Sequence, residues 1–166
     1  SVVEAKLREW GVEECNFTYD MQGIGQYFKG FFKDAVPFNN QAAPIAQNHQ
    51  EEEGIKYLYK DLKSQCAWLF YKMIKDRKIS IESSLLERKY SGNGFSKVPL
   101  RQILQKERKM LRRDENSEGK GFKLLPKKVA KKYVGHSPDF FESWFYVMIF
   151  SLTKKKHKKI NGLWRI

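Results

Sequence analysis

Apolar positions recur along this chain with two rhythms, about 3.6 residues and two residues, and the switches between them predict its elements. Val2, Val3, Ala5, Leu7 and Trp10, interspersed with charges, predict a short helix stopped by Gly11. The stretch from Cys15 to Tyr19 is rich in aromatic and β-branched residues and predicts a strand ending at Asp20. Gly23 and Gly25 then open a second helix reaching about Phe32, and Ala35 to Phe38 reads as another short strand. Strand, turn, helix, strand is the order of an α/β fold with parallel pairing.

Residues 39–53 are polar, with Pro44 and three consecutive acids, and read as a loop. From Lys56 to Lys75, Leu58, Leu62, Cys66, Leu69 and Met73 recur at helical intervals and predict one apolar face. Lys78 to Glu82 alternates as a short strand, and Ser83 starts a helix that stops near Ser91–Gly94. Pro99 precedes a helix carrying Leu100, Ile103, Leu104 and Leu111, whose outer face holds Arg101, Lys106, Arg108, Lys109, Arg112 and Arg113. Asp114 to Gly121 reads as a loop, Phe122 to Leu125 as a strand and Lys127 to Tyr133 as a basic helical turn. The last helix has Ser137 as its expected N-cap and Pro138 in its first turn. Phe141, Trp144, Phe145, Met148, Ile149 and Leu152 give it a wide apolar stripe that belongs against a sheet or another helix. The division expected is one domain over residues 1–153, with a basic helical insertion at about 92–119, and a basic tail at 154–166.

Charge changes this picture. The 166 residues carry 32 Lys and Arg against 19 Asp and Glu, a net +13, while twelve Phe, eight Tyr and four Trp argue against disorder. Residues 1–53 are net −5, 54–96 net +5, 97–132 net +9, 133–153 net −2 and 154–166 net +6. So polarised a chain presents a strongly positive face, for which a polyanion such as nucleic acid is the natural partner. A solvated surface or contacts within a larger assembly are the plainer readings. The longest apolar stretch, Phe140 to Leu152, is interrupted by Glu142 and falls short of the roughly 20 residues a bilayer span needs, so no membrane partner is expected. Ser1 to Glu9 lacks the apolar core of a secretion signal, and Cys15 and Cys66 read as reduced thiols, which points to the cytoplasm.

Candidate chemistry lies with three acids. Asp20 stands at the carboxyl end of a strand, beside glycines that permit a tight turn, where α/β enzymes keep their polar groups; it also suits a plain turn or cap. Gly23 and Gly25 lack the third glycine and the later acid of a dinucleotide fingerprint. Asp139 and Glu142, three apart in the first turn of the last helix, place two hard oxygen ligands beside a basic stretch; the alternative is a pair of N-terminal acids favoured by the helix dipole. Phosphodiester cleavage by two metals calls for such converging carboxylates. His49, His136 and His157 share no ligand spacing with either cysteine, which sets zinc aside.

The stretch Gly135-His-Ser-Pro-Asp-Phe-Phe-Glu-Ser143 resembles a pattern of the C-terminal nuclease domain of the large terminase subunit of tailed phages: Gly, one residue, Ser-Pro-Asp, two residues, an acid and a small residue. Tyr19-Asp20-Met-Gln-Gly23-Ile-Gly25 is similar to that family's strand-end Asp followed by a Gly-x-Gly helix start. The helix from Tyr57 to Lys75 running into Asp76–Ile81 is a third match, and the three stand in the family's order. The resemblance implies an α/β, RNase H-like mixed sheet flanked by helices and a metal-dependent endonuclease that cuts double-stranded DNA during packaging. It implies Mg²⁺ or Mn²⁺ as cofactor, Asp20 and Glu142 as metal ligands, and Asp139 as a further catalytic residue beside them.

Arg101, Arg108, Lys109, Arg112, Arg113, Lys127, Lys128, Lys131 and Lys132 would then track DNA phosphates. The implied partners are double-stranded DNA, other terminase subunits and the portal, in the cytoplasm of a phage-infected or prophage-carrying bacterium. The chain departs from the family in having Glu142 where Asp is usual. The family's first catalytic Asp also lies on an opening strand preceding the helix at which this chain begins, so the expectation is a domain lacking its first strands. The insertion at about 92–119 is longer than the family's pattern leads one to expect. Two other classes stay open: a non-catalytic, basic DNA-binding or assembly piece, and a structural module contacting acidic partners.

Overall fold

A computed structural model describes residues 1–46, 54–55, 58–92, 94–118, 121–153 and 164–165. The expectations for the acids at 51–53 and for the lysine run of the tail lie outside these residues. The chain is mixed α/β. Helix α1 (Val2–Glu9) starts with a capping box between Ser1 and Glu4 and ends before Gly11, whose φ of 63° ends the turn. Strand β1 (Thr18–Asp20) runs parallel to β2 (Val36–Phe38), as the strand, helix, strand order predicts. Two details differ. Glu14–Asn16 is a 3₁₀ turn, so Cys15 lies outside the strand, and the connection Gly23–Gly30 is a 3₁₀ rather than an α-helix.

The helix predicted from Lys56 starts afresh at Leu62 in α2 (Leu62–Lys75), because Asp61 caps it: Asp61 Oδ1 accepts the Ser64 N–H at 2.7 Å. The cap resets the helical register, so the buried face is Leu62, Cys66, Ala67 and Phe70, while Leu58 is exposed and Leu69 and Met73 lie at the margin. Strand β3 (Ile79–Ser80) pairs in parallel with β6 (Trp164–Arg165). Helix α3 is short (Ser83–Glu87), and the glycines read as its end instead turn an antiparallel hairpin of β4 (Lys89–Gly92) and β5 (Phe95–Pro99). Gly92 and Gly94 take φ of 118° and 86° there, values that exclude a bulkier residue without strain.

Helix α4 (Leu100–Glu107) buries Leu100, Ile103, Leu104 and, in the same register, Glu107; a 3₁₀ turn, Arg108–Met110, continues it. The predicted strand at 122–125 is present as two isolated bridges, Tyr59 with Phe122 and Arg113 with Leu124. Helix α5 (Lys127–Val134) ends on left-handed Gly135, and α6 (Asp139–Val147) leads into α7 (Ile149–Leu152). Pro138, not Ser137, holds the N-cap of α6, and the Ser137 hydroxyl instead donates to Asp139 Oδ1 at 2.7 Å. Among the described residues the strands form three two-stranded ladders.

The main core lies where the stripes of α2 and α6 meet. The Phe70 ring is 5.3 Å from Phe141 and 5.8 Å from Phe145, both edge-on as aromatic quadrupoles favour, and 5.5 Å from a tilted Trp144. Phe38 stacks on Tyr146 at 4.4 Å, which pins the β1–β2 ladder to the same helix. A second, smaller cluster of Tyr19, Phe32 and Ala35, with Phe17 and Phe28 around it, holds the 3₁₀ connection to β1. The two clusters together bring the end of β1 against α6.

Candidate functional site

Asp139, Glu142 and Tyr146 follow one another at i, i+3 and i+7 along a single line of α6, so their side chains share a face. Tyr146 projects across to β1, where its hydroxyl donates to Asp20 Oδ2 at 3.3 Å. The other oxygen of Asp20 accepts the Gln22 N–H at 3.0 Å and the Asn40 amide at 3.2 Å. Gly25 makes this turn possible, for a Cβ there would overlap the Asp20 carbonyl oxygen. Burial first, and then the negative charges of Glu142 and Asp20, raise the Tyr146 pKa, which keeps its hydroxyl a donor. Tyr146 therefore ties Asp20 to the helix that carries Asp139 and Glu142, more than a hundred residues away.

Glu142 is 3% exposed and holds two ammonium groups. Its Oε1 accepts from Lys63 Nζ of α2 at 2.5 Å, and its Oε2 from Lys127 Nζ, at the start of α5, at 2.7 Å. Lys127 Nζ donates also to Asp139 Oδ1 at 2.8 Å. Burial opposes the charge on Lys127, but the hydrogen bonds to Asp139 and Glu142 outweigh it and raise its pKa above the ordinary lysine value. Partial burial likewise works against ionised Asp139, and Lys127 and Ser137 outweigh it, holding that carboxyl below its usual range. Lys127 thus leaves the phosphate track expected from sequence and joins the acids.

Beside these groups lies an open cleft of about 710 Å³ whose walls include Asn40, Lys60, Asp61, Lys63, Glu118, Lys123 and Lys127. Asn40 Oδ1 is buried and has no hydrogen-bond partner among the described residues. The other predicted basic residues form an exposed face. Arg108, Lys109, Arg112 and Arg113 run from the end of α4, and Lys128, Lys131 and Lys132 lie on α5, which packs against the 3₁₀ turn at 108–110. The Arg112 guanidinium over the Tyr133 ring, at 5.4 Å, ties the two stretches together. Arg101 stands apart in an exposed ion pair with Glu87.

Sequence reasoning missed Glu107. It is fully buried behind the same helical turn, accepts the Phe141 N–H at 2.7 Å, and meets His136 Nε2 at 3.0 Å. It satisfies one of the donors that the N-terminus of α6 leaves open, from another helix. Burial pushes its carboxyl up to about 7, against the lowering effect of the Phe141 N–H, with Asp139 and Glu142 adding to the rise. Burial and the Lys106 charge lower the pKa of His136. The signal was a charged residue in the apolar register of Leu100, Ile103 and Leu104.

No family model, curated protein or solved structure matches this chain. Asp20, Glu142, Asp139 and the unpartnered Asn40 oxygen are hard oxygen donors, the kind that Mg²⁺ and Mn²⁺ prefer. Among the described residues no three of His, Cys, Asp and Glu form a ready ligand cluster. Instead Lys63 and Lys127 balance the acids' charge from positions a cation would otherwise serve. The oxygens suit a hard divalent ion once an ammonium gives way.

Proposed function

We propose that this chain is a metal-dependent endonuclease domain of the RNase H-like type, acting on double-stranded DNA as the terminase nuclease resemblance implies. The observation that carries the reading is the Tyr146 bond that ties Asp20 to the helix carrying Asp139 and Glu142, with Lys63 and Lys127, the partners of Glu142, in the wall of the cleft beside it. Asp20 and Glu142 would hold Mg²⁺ or Mn²⁺, which supplies an activated water and charge stabilisation at the leaving oxygen. The chain's own residues do the rest. Asn40 and the Gln22 N–H orient the Asp20 carboxylate, Tyr146 fixes its second oxygen, and Asp139 holds Lys127 at the cleft wall. The exposed basic face of α5 and residues 108–113 would bind backbone phosphates without reading sequence.

A supercoiled-plasmid nicking assay with Mn²⁺, Mg²⁺ or EDTA tests this on the chain beside Asp20→Asn and Glu142→Gln. Metal-dependent nicking lost in both variants is expected; nicking that survives both, or that EDTA leaves untouched, overturns the assignment. One observation favours a second reading. Glu142 already has an ammonium on each oxygen, as a carboxylate kept for structure would, which fits a non-catalytic DNA-binding or assembly role. That reading expects no nicking in any metal and plasmid binding that weakens steeply with salt, the slope growing with each phosphate neutralised.

A further inference from the structure

Lys127 belongs to three surroundings at once. It opens the basic helix α5, it bridges Asp139 and Glu142, and it forms part of the cleft wall with Lys60, Lys63 and Lys123. Its side chain is 40% exposed, whereas Lys63, the other ammonium on Glu142, is 16% exposed. Both carboxylate oxygens of Glu142 are engaged by ammoniums, Lys63 on one and Lys127 on the other, and Lys127 also holds Asp139. A divalent cation on Glu142 would lie against those ammoniums in a partly desolvated site, where close like charges are costly. Entry of the cation therefore requires that an ammonium leave or that an anion arrive, and Lys127 is placed to do both together.

We propose that Lys127 exchanges partners: it holds Glu142 and Asp139 when no DNA is bound, and moves to a backbone phosphate in the cleft when DNA binds, freeing the Glu142 oxygen for a divalent cation. The proposal rests on the nuclease reading above and adds its regulation. The phosphate brings the negative charge, and the lysine's four-carbon stem brings the reach, without movement of α5. Because binding free energies are linked, DNA must tighten the cation by the same factor as the cation tightens DNA. The bland outcome of such an arrangement, a permanently shut site, is what Lys127 fixed to its carboxylates in all states would give.

Mn²⁺ affinity, measured by calorimetry on the full chain with and without a short DNA duplex, tests the exchange. Glu142→Gln serves to subtract Mn²⁺ held by the duplex itself. The wild-type chain is expected to bind Mn²⁺ about tenfold more tightly with DNA present, a factor within the usual range of site coupling. Lys127→Met is expected to bind Mn²⁺ at that tighter level without DNA and to gain little from it. Lys127→Arg, which keeps the charge and clasps carboxylates through two donors, is expected to bind Mn²⁺ no better than wild type. Mn²⁺ bound through Glu142 with the same affinity in wild type and Lys127→Met overturns the exchange and leaves the nuclease reading standing. An affinity of the wild type unmoved by DNA overturns it too, even where Lys127→Met fails to fold. No Mn²⁺ binding in any protein overturns both.

Discussion

Two glutamates are buried within one turn of each other around the start of α6, and their surroundings differ in kind. Glu142 faces two ammonium groups, at 2.5 and 2.7 Å. Glu107 faces a backbone N–H and a histidine and, among the described residues, no lysine or arginine lies within hydrogen-bonding distance of its carboxyl. Burial of an ionised carboxylate costs several kcal/mol unless opposite charge repays it, so the two groups answer the same cost differently. Glu142 is met by an ammonium from α2 and another from α5. Glu107 gives its charge up near neutrality, its carboxyl raised to about 7 by burial, and serves as a neutral clasp on the helix that carries Asp139 and Glu142. The difference separates a carboxylate arranged for exchange from one arranged for support.

The sharpest way to break the comparison is to strip Glu142 of both cations. Lys63→Met with Lys127→Met leaves a charge 3% exposed without a partner, and a loss of about 3–5 kcal/mol in urea denaturation is expected. Adding Glu142→Leu removes the stranded charge and should return most of that loss. A double variant as stable as the wild type would show that Glu142 reaches water on its own, and the contrast with Glu107 would vanish.

Next comes pH. The Glu107 carboxyl is raised from about 4.5 to about 7 in the fold, so its protonated form contributes stability that is fully present below about pH 4.5 and lost as pH rises through about 7. That span corresponds to about 3 kcal/mol. Glu107→Gln, which keeps an acceptor for the Phe141 N–H but cannot ionise, should escape the loss. His136 has the opposite sign: its lowered pKa makes it lose stability as pH falls below about 6.5, and it does so in both proteins. The stability of Glu107→Gln relative to wild type should therefore climb by about 3 kcal/mol between about pH 4.5 and 8, read by denaturation at each pH. Parallel curves would mean that Glu107 does not change its charge across this range.

How much of this was legible in the sequence follows from which interactions are local. The apolar stripe of α6 and the strand-end position of Asp20 are local patterns, and the structure keeps both, with Phe141, Phe145, Met148, Ile149 and Leu152 buried. The three acids of the candidate site were therefore readable one by one. Their cations were not: Lys63 and Glu142 are 79 residues apart, and nothing near either predicts the other. Lys127 looked like one more member of a basic helix, because sequence gives the charge of a side chain and not its direction. Two local readings failed through competing local signals. The Asp61 cap overrode a periodicity that ran through Leu58, and the glycines after Ser91 marked a hairpin turn where a helix end was expected. Glu107 is the instructive miss, since its place in the register of Leu100, Ile103 and Leu104 was visible and only the habit of reading acids as surface hid it.

Asp20 supplies an intermediate case, for its carboxylate is held by neutral donors: an N–H, an amide and the Tyr146 hydroxyl. Tyr146→Phe removes one such bond and keeps the ring stacked on Phe38, so a loss of about 1 kcal/mol is expected, well below that for stripping Glu142. A loss as large as the double lysine variant's would place the tyrosine hydroxyl, rather than the ammoniums, at the centre of the site's stability.

The smallest effect sets the scale for the rest. Arg101 and Glu87 form an ion pair between side chains that are 52% and 57% exposed, where water screens the attraction and ordering two long side chains offsets much of it. Glu87→Gln should cost no more than about 1 kcal/mol, and raising the salt concentration should erase even that. Lys63 and Glu142 carry the same formal charges at 16% and 3% exposure, so added salt should barely touch their contribution. A double-mutant cycle on each pair at low and high salt makes the test direct. Equal salt sensitivity in the two cycles would mean that Glu142 is solvated in practice, and an ammonium that water can so easily replace would have nothing to hold back from a cation.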